Sequence, residues 1–415
     1  MEQTRKLVHH DISKFDHLAE PARKLLFSIT IYNVIFPIFT IFINAFLWRE
    51  SHNLTLLVIY NLVLYVALPI GFYVNGLLLQ TFAAKKLLSV GLIVFGISVS
   101  VIIFQTSISY LAAAIFGLLN GFYAGIYWGN RNFLTIETTT SENRIYFSGL
   151  ESMSLLITGI LIPIIVGHFI TFGTTFHLYS THVAYKILAV LMLYVIVMIA
   201  LVVLHITKTY EKPHTVLVRH PSKLWTKIRW IQFLYGAVSI LQSFFPIVLV
   251  LYLLGQEDTL GVLQSISAAI TAFIVYFVAK SLDTRHRVSL VRISFITALL
   301  GIGFFSIFYN TAIGIFIYLA AVSFMMPLLW IALHSLNFDA IDKEDIQNQT
   351  HYAFITDQEI FLNLGRIVSL ASFLLLLIVF SDKVALRYLP FLLTILHGFL
   401  LILTKSIEKK LNQSN

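Results

Sequence analysis

The chain has 415 residues, 58% of them hydrophobic and 12% charged, with a mean hydropathy of +0.86. A soluble domain carries about 25% charge, so a water-exposed globule is excluded and lipid must be the solvent for most of this surface. There is no cysteine, which excludes disulfides and thiolate metal sites, and the basic excess of +8 falls in short loops, where it signals topology rather than a nucleic-acid partner.

Residues 1–24 are polar and lack the apolar core of a cleavable signal peptide. Twelve apolar stretches of spanning length follow. They run 25–48, 54–78, 88–106, 109–129, 148–172 and 183–206, then 229–254, 261–281, 289–309, 311–335, 355–380 and 387–404. The expected organisation is a cytoplasmic segment 1–24, a six-helix bundle 25–206, a cytoplasmic linker 207–228, a second bundle 229–404 and a cytoplasmic tail 405–415. The fold class is therefore an all-α integral membrane protein. With twelve spans, 23 Lys and Arg lie on the side of the termini and three (Arg49, Lys383 and Arg387) on the other. This split puts both termini in the cytoplasm and the protein in the cell membrane.

Span one contains Asn33-Val-Ile-Phe36-Pro37-Ile38, and span seven contains Gln242-Ser-Phe-Phe245-Pro246-Ile247. A mid-helix proline frees a carbonyl and bends the helix. Span four carries Gly117, Gly121, Gly125 and Gly129, a bare stripe of about 18 Å that lets another backbone approach closely. It runs into Asn130-Arg131-Asn132, expected as a polar gate at one membrane face. Arg366 in span eleven is the deepest charge. The apolar run from Ile367 to Phe380 spans about 21 Å, which places Arg366 roughly 9 Å inside a ~30 Å core. It is either a structural arginine, snorkelling or paired with Asp357 or Glu359, or a functional one: a ligand for an anionic or hydroxyl-rich solute, or a switchable gate charge.

The two Phe-Pro segments match at an offset of 209. Asn132-Phe133-x-x-Ile136-Glu137 matches Asn337-Phe338-x-x-Ile341-Asp342 at 205, and Tyr146, Glu151 and Gly159 match Tyr352, Asp357 and Gly365 at 206. The halves therefore read as an internal repeat. After span two comes Gly76-Leu-Leu78-Leu-Gln80-Thr-Phe-Ala-Ala-Lys85-Lys86. The equivalent loop of the second half reads Ala279-Lys-Ser-Leu-Asp283-Thr-Arg285-His-Arg287. In layout, and in these degenerate loop motifs, the chain resembles the major facilitator superfamily. Gln80 stands where that family has an aspartate, and the second loop lacks the glycines.

The resemblance implies two pseudo-symmetric bundles rocking about a cavity lined by spans one, four, seven and ten. Asn33 and Gln242 are then first choices for binding substrate, with Arg366, Tyr123, Tyr127, Asn120, Trp330 and Asn363 as further lining. Glu151, Asp357, Glu359, Asp283, Arg131 and His334 are expected to couple protons or gate. The resemblance brings Asp283 near Glu151, across the interface between the halves. Glu151 and Asp357 also read as helix-start acids favoured by the dipole.

No P-loop, His pair at metal-ligand spacing or nucleophile elbow occurs, so no enzyme, cofactor or metal is expected. The expected function is a monomeric secondary transporter of a small solute, driven by protons and working by alternating access. The alternatives are efflux of drug-like or lipid-like compounds and a non-transporting sensor or assembly protein.

Overall fold

The computed structural model describes residues 15, 18–105, 108–140, 143–207, 212–255, 257–281, 286–344 and 351–413. Among them are twelve helices long and apolar enough to cross a membrane. They are α1 (Glu20–Ser51), α2 (Leu54–Leu79), α3 (Ala84–Ile103), α4 (Tyr110–Thr138), α5 (Arg144–Thr175) and α6 (Thr181–Leu204). The second half holds α7 (Lys223–Leu253), α8 (Glu257–Ser281), α9 (Arg287–Ile307), α10 (Ala312–Lys343), α11 (His351–Val379) and α12 (Asp382–Gln413). We call the side where α1 begins and α12 ends the terminal face, and the other side the far face.

The loops supply the start signals. Side chains of Asn53, Ser109, Ser180, Ser222 and Thr311 accept hydrogen bonds from first-turn amides of α2, α4, α6, α7 and α10. These caps satisfy amides that lipid could not. Outward residues such as Leu111, Leu300 and Ile378 are about 70% exposed, as expected of helix faces that meet acyl chains.

Packing repeats after six helices. α2 lies along α4, α3 along α6 and α1 along α5; α8 lies along α10, α9 along α12 and α7 along α11. These are two pseudo-symmetric six-helix bundles. They meet along α2–α11 and α5–α8.

Glycines set the closest approaches. A Cβ on Gly117, Gly121 or Gly125 would strike the carbonyl oxygens of Tyr60, Leu64 and Leu68 in α2, and Gly71 of α2 faces Phe122 of α4 the same way. The stripe is a backbone-to-backbone seam within one bundle. The second bundle uses Gly236 and Gly365 between α7 and α11, and the α5–α8 junction uses Gly167 and Gly261.

Several helices outrun the apolar pattern. α4 continues to Thr138 through the polar run after Gly129, because those residues turn to neighbouring helices rather than to a loop. Asn130 donates to the Ile126 carbonyl at 2.9 Å and to Asn75 Oδ1 at 2.6 Å, and Thr135 and Thr138 bond back one turn. α10 likewise continues to Lys343, and α7 starts at Lys223 behind its Ser222 cap.

Candidate substrate site

Pro246 has no N–H for the carbonyl one turn back, that of Gln242. α7 breaks at Phe244 (φ −120°, ψ −54°). Every residue from Gly236 to Leu251 is buried except Gln242 and Ser243, which are exposed. With the helix covered above, below and around them, these two side chains look into an internal space at mid-span. The Tyr65 hydroxyl of α2 lies 3.4 Å from Ser243 Oγ, so this space sits between the halves.

Three polar residues of α11, Glu359, Asn363 and Arg366, fall at i, i+4 and i+7 and share one face. Leu364, Val368 and Leu375, all more than 40% exposed, mark the lipid side roughly opposite. Arg366 donates from Nε to Ser239 Oγ of α7 at 3.2 Å and from Nη1 to Asn363 Oδ1 at 3.2 Å. Its guanidinium stands 5.0 Å from the centre of the Tyr65 ring, a cation–π contact across the halves. Asn363 donates to the Glu359 carboxylate at 3.3 Å and to the Glu359 carbonyl at 2.8 Å. The carboxylate lies within electrostatic reach of Arg366. Glu359 and Arg366 are half-buried. The cluster thus offers a cation, a carboxylate, amides and hydroxyls around one internal space, from both bundles.

The structure gathers Gln242, Arg366 and Glu359 there, with Asn363 fully buried behind Arg366 and Glu359; of the other expected lining residues only Trp330 stays exposed. Asn33 is buried and donates to Ser154 Oγ of α5 at 2.6 Å. Asn120 is buried between α3 and α4, donating to the Phe116 carbonyl and accepting from Ser98. Tyr123 is buried with its ring stacked on Phe95 at 4.2 Å, and Tyr127 is stacked on Tyr32 at 3.9 Å. Trp330 is 48% exposed and stacks on His334. Asp283 lies outside the described residues.

The two repeat-related acids do not reach across the interface. Glu151 pairs with Arg131, tying α5 to α4 within the first bundle. Asp357 receives Arg229 at 2.8 and 2.6 Å and Trp225 Nε1 at 2.7 Å, tying α11 to α7 within the second. Each bundle supplies its own half-buried cation, so the acid is satisfied locally.

Contacts between the halves come instead from residues that were not expected to gate. At the terminal face the Tyr352 hydroxyl of α11 donates to the Phe72 carbonyl at 2.9 Å and accepts from Asn75 Nδ2 at 3.0 Å, beside Gly129 of α4. At the far face Arg49 of α1 grips the buried Glu257 of α8 at 2.5 and 2.8 Å. Tyr352 stood in the repeat match with Tyr146, which was its only signal. Tyr65, Ser239 and Ser243 carried none beyond lying on spans two and seven.

A family model described as Major Facilitator Superfamily matches residues 25–356. The chain belongs to that superfamily. It is thus a multi-pass membrane protein of a transporter family. It is 26% identical over 401 residues to the "Uncharacterized protein YqgE" of Bacillus subtilis (strain 168), covering 93% of this chain and 90% of that one. It is also 28% identical over 130 residues to the "Uncharacterized protein in sodM 3'region" of Geobacillus stearothermophilus, covering 31% and 61%. Among solved structures, the nucleoside transporter NupG superposes with a TM-score of 0.64 at 13% identity, over 94% of this chain and 99% of that one. A bacterial homolog of the human lysosomal transporter Spinster, inward-facing and unoccupied, gives 0.61 at 10% identity over 94% and 97%. These superpositions show the facilitator-superfamily fold.

Proposed function

We propose that this facilitator-superfamily protein is a secondary active transporter of a small polar solute in the cell membrane, with both termini cytoplasmic and transport coupled to protons. The observation that carries the reading is the cluster of Arg366, Asn363, Gln242 and Ser243 with Tyr65 beside it. It draws groups from both bundles around one internal space, so a solute bound there touches both halves. Alternating access needs that arrangement, since rocking one bundle against the other then changes which face the solute can leave by. The 23-to-3 division of basic residues supports the orientation.

Arg366 is suited to a carboxylate, phosphate or dense hydroxyl array, because a guanidinium presents several donors in one plane. Glu359 is the proton carrier in this reading. It is a carboxylate inside the membrane, held by a neutral amide and within electrostatic reach of Arg366. Solute on Arg366 and a proton on Glu359 act on one local balance of charge. Binding of solute and of proton are thereby linked.

The test is flux into proteoliposomes under an imposed pH gradient, with the solute first found by a ligand-stabilisation screen of purified protein. Glu359→Gln mimics the protonated side chain. It is expected to lose gradient-driven accumulation while keeping solute exchange at equal concentrations. Gradient-driven accumulation at the wild-type rate in Glu359→Gln would remove the carboxylate from the coupling role.

A further inference from the structure

Trp330 is the one exposed residue between Met325 and Leu336 of α10. The lipid-facing line of that helix runs through Ile313, Phe316 and Phe324, and Trp330 projects roughly a quarter-turn away from it. It lies about 20 Å along the helix from Lys343, too deep for the headgroup belt where exposed tryptophans gather. One face of the indole is covered by the His334 imidazole, with centroids 4.6 Å apart and planes 16° apart. That imidazole lies within electrostatic reach of Arg131 on α4 of the opposite bundle. There Arg131 stands 5.6 Å from the Trp128 ring, which is itself packed edge-on by Tyr32 and Tyr127. Asn337 of α10 donates to Gln358 of α11 at 2.6 Å, and from that contact Trp330 and Arg366 lie about 11 and 12 Å deeper along their helices, at nearly the same depth.

We propose that the open face of Trp330 stacks against a planar ring of the substrate, so that the solute carried is an aromatic or heteroaromatic ring joined to an anionic or hydroxyl-rich group. This rests on the reading of the α7–α11 cluster as the substrate site. The polar group sits on Arg366 and Gln242, with Asn363 holding the guanidinium from behind. The ring lies on an indole already fixed from behind by His334, so little side-chain freedom is lost on binding. A ringless sugar or hydroxy acid leaves this surface unused.

The experiment is equilibrium binding to purified full-length protein with matched probes: ring-bearing solutes (a nucleoside and an aromatic carboxylate) against ringless ones (a hexose and an aliphatic hydroxy acid). A ring-bearing probe is expected to bind the wild type more tightly than its ringless partner. Trp330→Ala should weaken that probe roughly tenfold or more, the usual scale for one lost ring-on-aromatic stack. Trp330→Phe should keep most of the affinity. Unfolding temperatures of the ligand-free variants show whether the bundle is intact. Binding of a ringless probe with equal affinity to wild type and Trp330→Ala, and lost in Arg366→Ala, would overturn the ring assignment and leave the polar site standing. Ring-probe binding that needs Trp330 but is indifferent to Arg366→Ala would keep the stacking surface and remove the polar site. Failure of every probe on the wild type would count against both.

Discussion

Arg366 is held by geometry as much as by charge. Its Nε and Nη1 each find an oxygen, on Ser239 and Asn363, while its flat face rests on Tyr65. A lysine could restore the charge but neither the fork nor the stacking. Arg366→Lys is therefore expected to stay folded and to lose transport by about tenfold or more, one misaligned charge-assisted bond being worth ~1.5–3 kcal/mol. Flux per folded transporter, with folded protein measured by size-exclusion chromatography, checks this. Wild-type flux in Arg366→Lys would mean that the guanidinium serves only as a point charge. The same scale explains why the acids were hard to read from sequence. Glu151 and Asp357 sit at equivalent repeat positions. Arg131 lies 20 residues before Glu151, and Arg229 lies 128 before Asp357. Which cation turns toward an acid is settled by packing over that distance, and no local pattern carries it.

Among the elements, the spans were legible because lipid imposes a length and a composition on every helix. Helix ends were less so. α4, α10 and α12 continue through polar residues that hydropathy reads as loops but that bond to neighbouring helices. The amide-and-Phe-Pro pattern marked both Asn33 and Gln242, yet the structure leaves only Gln242 exposed. α1 absorbs Pro37 by widening into a π-helical turn at Ile38–Phe42, where Asn44 bonds the Thr40 carbonyl, whereas α7 breaks outright at Phe244. The glycine stripe was legible as a close contact, but its partner was not. At these seams the missing Cβ is the determinant. Gly121→Ala and Gly365→Ala each push a methyl into a facing carbonyl, of Leu64 and Phe233. Each should lower stability by about 1–3 kcal/mol, the range for overpacking a filled contact. Gly149 has open space around its would-be Cβ. Gly149→Ala should leave stability unchanged or raise it by up to ~1 kcal/mol through helix propensity. Thermal unfolding in detergent separates the cases. Equal behaviour of all three variants would show that the seams tolerate separation.

For the whole molecule, the two bundles touch through different chemistry at each face. Tyr352 bridges to Phe72 and Asn75 at the terminal face with neutral hydrogen bonds, and Arg49 pairs with buried Glu257 at the far face through a charged fork. In a protein that rocks between two open states, each contact stabilises the states in which its own face is closed, and removing it shifts the population the other way. Tyr352→Phe deletes bonds worth about 1 kcal/mol and should favour opening at the terminal face roughly fivefold. Glu257→Gln removes the charge of a buried carboxylate paired with a part-exposed arginine and should favour opening at the far face by a larger factor, since charge-assisted bonds are worth ~1.5–3 kcal/mol. The chain contains no cysteine, so a single introduced thiol reports without background. Ser243 is exposed at the break in α7, between the halves. In Ser243→Cys, labelling by a membrane-impermeant thiol reagent should speed up from the terminal face when Tyr352→Phe is added and slow from the far face. Adding Glu257→Gln should do the reverse. If the two variants shift labelling in the same direction, or neither shifts it, the contacts hold the bundles together without choosing which face is open. The opposed response would instead tie two pairs of residues, one at each face and far apart in sequence, to a single rocking equilibrium about the Arg366 cluster.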